Sequence, residues 1–330
     1  SLVYGLLVRL AMFFYGINPS RAGCRVVSVG NITLGGTGKT VLVQAIARTL
    51  RSNGLRVAVL TRGYKRQSSA AQPCADYRTM GDEACMMGEK LAGIPVLVDS
   101  DRLRAAGRAI RDHKADTVIL DDGLQQWRIR KDLEIVTIDA RDPFGNRHLI
   151  PRGILRQPLS TLAKADVFVL TDADSAEPAR LEALRALLCR LAPRALLVRA
   201  RHQATGIYRL NDTARVMGPE SVKGRQLALF CGIGNPGSFR SLAARLGAHA
   251  GQVFLFPDHH PYTEEDIEDI FKKCRAAGEV MLLTTEKDAV RIPLAARRRF
   301  GNDIFVLAVE LAIEDEEKRF ADRLLSLCPA

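Results

Sequence analysis

The sequence predicts an α/β protein built on a mostly parallel sheet, and three observations carry that prediction. Apolar runs of strand length alternate with helix-length amphipathic stretches almost from end to end. One run, Val26-Val27-Ser28-Val29, leads directly into a glycine-rich loop with a helical pattern behind it. Another, Val118-Ile119-Leu120, ends in the consecutive aspartates Asp121 and Asp122. A chain of 330 residues accommodates one large domain or two ordinary ones. Its 47% hydrophobic and 26% charged content is that of an ordinary globular protein.

The elements follow in order. A strand at Arg25–Val29 precedes the loop. A helix from about Thr40 to Asn53 is closed by Gly54, which suits the left-handed cap position. Strands are expected at Arg56–Leu60, Pro95–Val98 and Thr117–Leu120, with helices at Asp82–Leu91 and Arg102–Lys114. After a strand at Leu133–Asp139 the pattern breaks. The stretch from Pro143 to Pro158 is rich in Gly, Pro and Arg and reads as a connection into a second, smaller α/β domain. Alternation resumes with strands at 167–170, 195–198, 226–230, 253–256, 280–284 and 304–311, and helices near 178–191, 239–246 and 264–277. A last helix, about Asp315–Leu327, reads as returning to the first domain. The expected division is 1–20 for an N-terminal helix, 21–145 for the first domain together with 312–330, and 146–311 for the second.

Charge and cysteine usage narrow the function classes. The formal net charge of +11 favours acidic partners such as a nucleotide, a phosphorylated substrate or anionic lipid. Nucleic acid is not expected, because aromatics are only 6% and no base-stacking platform is visible. Seven scattered cysteines without a C-x-x-C pair fit reduced thiols rather than a disulfide framework or zinc site. Leu2 to Ile17 is almost wholly apolar, broken by Arg9. It is shorter than the roughly 20 residues that span a bilayer, and no signal-peptide cleavage site follows it. The residues alone favour a buried helix over one lying in a membrane interface with Arg9, Arg21 and Arg25 near headgroups.

The glycine-rich segment reads Gly30-Asn31-Ile32-Thr33-Leu34-Gly35-Gly36-Thr37-Gly38-Lys39-Thr40. It follows the G-x-x-x-x-G-K-[ST] pattern of a phosphate loop, with Thr33 at the first glycine position. In such a loop, here Thr33, Gly35, Gly36, Thr37, Gly38, Lys39 and Thr40, backbone N–H groups and the helix N-terminus cradle phosphate oxygens. The lysine reaches the outer phosphates and the threonine hydroxyl holds Mg²⁺. Asp121 or Asp122 at a strand end supplies the carboxylate beside that ion. ATP and Mg²⁺ are therefore expected, within a P-loop NTPase-like three-layer α/β/α fold. Leu34 occupies the place of the signature lysine of partitioning-type ATPases, and no N-K-x-D base-reading motif of regulatory GTPases is present. A kinase remains, whose acceptor-side residues composition does not identify.

Several further stretches carry a resemblance. They are Ser28-Val29-Gly30-Asn31 with the loop, Thr61-Arg62-Gly63-Tyr64-Lys65, Gly81-Asp82-Glu83, Asp101-Arg102, Leu120-Asp121-Asp122-Gly123-Leu124-Gln125, Phe256-Pro257-Asp258-His259 and Thr284-Thr285-Glu286-Lys287-Asp288-Ala289-Val290. In this order and combination the chain resembles, over nearly its whole length, the tetraacyldisaccharide 4′-kinases of Gram-negative bacteria. The resemblance implies transfer of the ATP γ-phosphate to the 4′-hydroxyl of tetraacyldisaccharide 1-phosphate at the cytoplasmic face of the inner membrane; a monomer is expected. It implies two α/β/α domains joined by a two-stranded hinge, and places the N-terminal helix in the membrane interface. It implies Asp101 with His259 as the catalytic base pair, beside Lys39, and Arg62, Tyr64, Lys65 and Arg156 as substrate contacts. Asp101 also reads as an N-cap for the helix that follows it. Asp82 and Glu83 fit a helix start or the site equally, and Glu286, Lys287 and Asp288 fit an ion-paired turn.

The chain departs from the family pattern at Val41, Gln126, Arg152, Ile154 and Gln157, where Pro, His, Ala, Pro and Glu are usual. Gln157 bears on the expected metal environment. An alternative of another class is a nucleotide-switched, membrane-associated ATPase without a small acceptor. A third is a non-catalytic nucleotide-binding scaffold.

Overall fold

The computed structural model describes residues 1–63, 80–278 and 281–327; Tyr64, Lys65 and Val280 lie outside them. The strands β1 (Arg25–Gly30), β2 (Val57–Thr61), β3 (Val96–Val98), β4 (Thr117–Asp121), β5 (Leu133–Asp139), β6 (Val167–Thr171) and β7 (Leu196–Arg209) lie in the order β3-β2-β4-β1-β5-β6-β7, all parallel. The residues of β1, β2, β4, β5 and β6 are buried almost without interruption, as strands covered on both faces must be. Helix α2 (Lys39–Ser52) covers one face, where Leu42, Ile46 and Leu50 meet Val27, Val29 and Ile135. After α3 (Asp82–Lys90) the chain forms α4 (Arg102–His113), which buries Ala105, Ala106 and Ala109 on the opposite face, and α5 (Pro178–Leu191) adds Leu184 and Leu188 there.

The sheet continues through β7 into a second half. The first residues of β7 pair with β6; from Ala200 onward it pairs antiparallel with β12 (Ile304–Ile313). Strand β8 (Asp212–Met217) adds to β7, and β9 (Gln226–Cys231), β10 (His249–Leu255) and β11 (Leu282–Thr285) extend the sheet in the order β10-β9-β11-β12. Helix α6 (Pro236–Arg245) packs Phe239 and Leu242 on one face. Helix α7 (Glu264–Ala276) packs Ile267, Ile270 and Phe271 on the other. Short α8 (Glu286–Ala289) and α9 (Leu294–Phe300) connect β11 to β12. Helix α10 (Glu317–Leu325) then places Phe320 and Leu324 in the core beneath α2.

Two expectations need correction. Strand pairing does not divide the chain at residue 146. β6 and α5 belong to the first half, and the change of partners comes within β7, near Ala200. The Gly/Pro/Arg-rich stretch misled because it resembles a linker, yet it is laid under the phosphate loop. Leu34 N–H donates to Ile154 O at 2.7 Å and Arg156 N–H to Ile32 O at 2.8 Å. The second correction concerns α1 (Leu2–Gly16), which is not a buried helix. Val8 is buried, and Tyr4 Oη donates to Arg156 O at 3.0 Å, so a narrow stripe is docked. Leu7, Phe13 and Phe14 are 59%, 62% and 68% exposed. Among the described residues no helix is long and apolar enough to cross a membrane.

Candidate active site

The phosphate loop is shaped by its glycines and by neighbours on both sides. Gly30 ends β1 where a Cβ would come within 2.5 Å of the Leu124 backbone N, so no larger residue fits. Gly38, the N-cap of α2, has φ 76°, a left-handed backbone that glycine adopts at little cost. Thr37 Oγ1 is 2.7 Å from Thr137 Oγ1 of β5. Lys39 Nζ donates to Asn31 Oδ1 at 2.9 Å and lies 3.8 Å from Asp122 Oδ1. Asn31 was read only as part of a motif; its side chain holds the lysine and also receives Arg156 Nη1 at 3.3 Å.

The two aspartates after β4 differ in their surroundings. Arg156 donates to both oxygens of Asp122 at 2.8 Å. Burial opposes ionisation of Asp122, but the Arg156 hydrogen bonds and the Lys39 charge outweigh it and hold the carboxyl below its usual range. Asp121 is fully buried. Its Oδ2 accepts from Thr61 Oγ1 at 3.0 Å, while Oδ1 has no hydrogen-bond partner among the described residues. Burial, then repulsion from Glu83 and Asp122, pushes its carboxyl up to about 7. An orphaned carboxylate oxygen crowded by other acids, in a cavity that Thr40 also lines, is a donor that suits a divalent cation. Gln157 is fully buried and neither atom of its amide has a partner among the described residues.

A cavity of about 660 Å³ opens between the two halves of the sheet. The phosphate loop, Arg62, Asp121, Asp122 and Arg156 form one wall, and Asp258, His259 and Lys287 the other. The approach is close: a Cβ on Gly234 would lie 3.5 Å from the Gly36 amide. Arg62 is exposed at the end of β2, and Arg156 is already engaged with Asp122.

The expected Asp101–His259 pair is not formed. Asp101 is exposed and caps α4, its Oδ1 accepting from the N–H groups of Leu103 and Arg104 at 3.0 and 3.1 Å. His259 instead has Asp82 of α3 as its partner, Nδ1 to Oδ2 at 2.7 Å. Asp82 is buried, and burial opposes its ionisation. The His259 hydrogen bond and the charges of Lys287 and Arg291 prevail, so its carboxyl lies below the usual range. Lys287 reaches across to Glu83 at 3.3 Å and lies 3.3 Å from His259 Nε2. Its neighbours explain a partial surprise. Asp288 is structural, accepting from Tyr262 Oη and Gly232 N–H at 2.8 and 2.7 Å, whereas Lys287 on the same turn faces the cavity. Sequence reasoning left Asp82 undecided, because only the fold brings α3 against the loop carrying His259.

Comparison with known proteins identifies the family. The family described as tetraacyldisaccharide-1-P 4′-kinase, LpxK, matches residues 1–328. A tetraacyldisaccharide 4′-kinase of Halothermothrix orenii is 35% identical, over 94% of this chain and 87% of its own. One from Anaeromyxobacter dehalogenans is 40% identical, over 92% and 82%. The crystal structure of Aquifex aeolicus LpxK in complex with ATP shares the fold, with a TM-score of 0.77 and 24% identity over 99% of this chain and 96% of that one. Phosphate loop, aspartate pair and cross-cavity histidine thus stand in a chain that matches the family from end to end, and it belongs to the tetraacyldisaccharide 4′-kinase family.

Proposed function

We propose that this protein transfers the γ-phosphate of ATP to the 4′-hydroxyl of tetraacyldisaccharide 1-phosphate. The observation that carries the reading is the two-walled cavity, with phosphate-binding groups on one side and a histidine–lysine–carboxylate cluster on the other. Lys39 and the loop amides stabilise charge on the transferred phosphoryl group. Thr40 and Asp121 would hold Mg²⁺, since both oxygens of Asp122 already accept from Arg156. When bound, the ion neutralises charge on the outer phosphates. Arg62 contacts the acceptor, as do Tyr64 and Lys65. Arg156 fixes Asp122 and, through its backbone, the loop.

Asp101 receives the acceptor proton and His259 orients its carboxylate, with Asp82 holding the imidazole through Nδ1. That assignment requires the halves to close further, which would bring the capping carboxylate to the histidine. The units that move are the part up to the middle of β7, with α10, and the remainder. The exposed apolar face of α1, with the basic surface, would seat the enzyme on an anionic membrane at the cytoplasmic side.

The test is phosphate transfer from labelled ATP to tetraacyldisaccharide 1-phosphate in detergent micelles, with Lys39→Ala and Asp101→Asn beside the parent. Labelled lipid from the parent alone is expected. ATP turnover without lipid and without labelled product would instead favour a nucleotide-switched ATPase.

A further inference from the structure

The cavity holds a second carboxylate–imidazole pair that the acceptor chemistry does not use. Asp172 follows β6, whose last residue, Thr171, donates from Oγ1 to Thr37 O at 3.4 Å. The end of β6 is therefore moored to the phosphate loop, on the side of β1 away from Asp121. Asp172 is 5% exposed and has φ 51°, a left-handed conformation that costs a non-glycine residue energy. Its Oδ2 pairs with Arg141 Nη2 at 2.6 Å, and its Oδ1 is 2.8 Å from His202 Nδ1 of β7. An ionised carboxylate only accepts, so Nδ1 carries a proton, and in the corresponding neutral tautomer Nε2 presents a lone pair. Nε2 lies 3.1 Å from the position a Cβ on Gly38 would take, directly over the phosphate loop.

The surroundings point to what that lone pair meets. His202 and Val309 lie on one face of the β7–β12 ribbon, because Val309 is paired with Ala204 and side chains two apart share a face. Val309, Leu242 and Phe239 give this end of the cavity an apolar wall. In open α/β sheets a ligand lies across the carboxyl ends of the strands. With its phosphates on the loop, a nucleotide must extend its nucleoside to one side. The side toward β4 is taken by Asp121, Asp122, Arg156 and Glu83. The side toward β6 and β7 offers an apolar slot with one acceptor.

We infer that His202, oriented by Asp172, recognises the nucleoside end of ATP. Nε2 accepts a hydrogen bond from a nucleoside donor, either a ribose hydroxyl or the exocyclic amine of adenine, while Val309 and Leu242 face the base. The inference rests on the nucleotide-binding reading above and names a specificity residue within it.

Two variants separate recognition from mere structure. His202→Asn keeps a donor to Asp172 but removes the atom at the Nε2 position. His202→Gln reaches that position with an amide oxygen. Binding of a non-hydrolysable ATP analogue is measured by calorimetry on the full chain without lipid. His202→Asn is expected to bind about five- to tenfold more weakly, and His202→Gln within about twofold of the parent. Inosine, 2′-deoxy- and 3′-deoxyadenosine triphosphates then locate the donor: the analogue lacking it binds the parent more weakly but the Asn variant no worse than ATP does. Equal affinity of the Asn variant and the parent, or discrimination among the analogues that is unchanged in it, overturns the inference. A parent that binds no nucleotide overturns the nucleotide reading itself, whereas nucleotide bound without labelled lipid product overturns only the acceptor assignment.

Discussion

Replacing Asp82 by Asn removes one negative charge from the point where α3 meets the second half of the sheet. The carboxylate accepts from His259 Nδ1 at 2.7 Å and lies 3.6 Å from Arg291 Nε, with Lys287 close by. The amide oxygen of Asn still accepts from the imidazole, so shape and one hydrogen bond survive. What is lost is the charge assistance, since hydrogen bonds to charged groups contribute about 1.5–3 kcal/mol and neutral ones about 0.5–1.5. Arg291 keeps Asp288 as a partner, which limits the damage to that buried cation. The expected loss is about 1–1.5 kcal/mol at pH 7. The pH dependence has a definite sign. The folded carboxyl lies below its ordinary 3.8, so its contribution is present above that value and disappears as pH falls through the lower, folded value. Urea unfolding of parent and variant between pH 7 and pH 3 measures both. A deficit that is full near neutrality and shrinks below about pH 4 is expected. Equal stability at pH 7, or a deficit independent of pH, would refute the claim that this ion pair fastens the two halves.

Three further outcomes are expected. Asp101→Asn keeps a good N-cap, so its melting temperature stays close to the parent's, while kcat for lipid phosphorylation falls at least a hundredfold. Asp121→Asn abolishes transfer yet raises the melting temperature in chelator at pH 8 by several degrees. The Asp121 carboxyl is raised to about 7, so the parent's stability is intact below the ordinary carboxylate value and declines as pH rises through 7; a gap that does not narrow toward pH 4 contradicts this. Leu7→Glu with Phe14→Glu leaves turnover in detergent micelles unchanged but lowers flotation with anionic vesicles severalfold, and unchanged flotation removes α1 from the membrane assignment.

What the residues disclosed in advance was whatever is encoded locally. Continuous apolar runs located β1, β4, β5 and β6, because a strand covered on both faces has no other way to be written. The loop and Asp121-Asp122 were legible because phosphate chemistry demands those residues at fixed spacing. The later part of β7 escaped notice: Arg201, His202, Gln203 and Gly206 interrupt its hydrophobicity, since it is half covered and half open. With that strand unread, the domain division was set at a composition change instead of at the change of strand partner. The Asp82–His259 and Asp172–His202 pairs join residues 177 and 30 positions apart, and nothing local in either segment encodes its partner. For His202 a signal did exist, in a lone polar ring two residues from each of two buried alanines, Ala200 and Ala204.

The ribbon of β7 and β12 constrains the mechanics of the enzyme. Its residues are paired from Ala200 opposite Ile313 to Arg209 opposite Phe305, with one irregularity near Ala308. A ladder of backbone hydrogen bonds resists elongation and sliding, because either would break several bonds at once. Between Ala200 and Ala204, opposite Ile313 to Val309, no third strand flanks the pair among the described residues, and such two-stranded stretches take larger twists than wider sheets. Such a joint acts as a torsion spring with a fixed length. If the halves close as proposed, the second half turns about this joint without shifting along the strands, and His259 and Lys287 stay at the height of the phosphate loop.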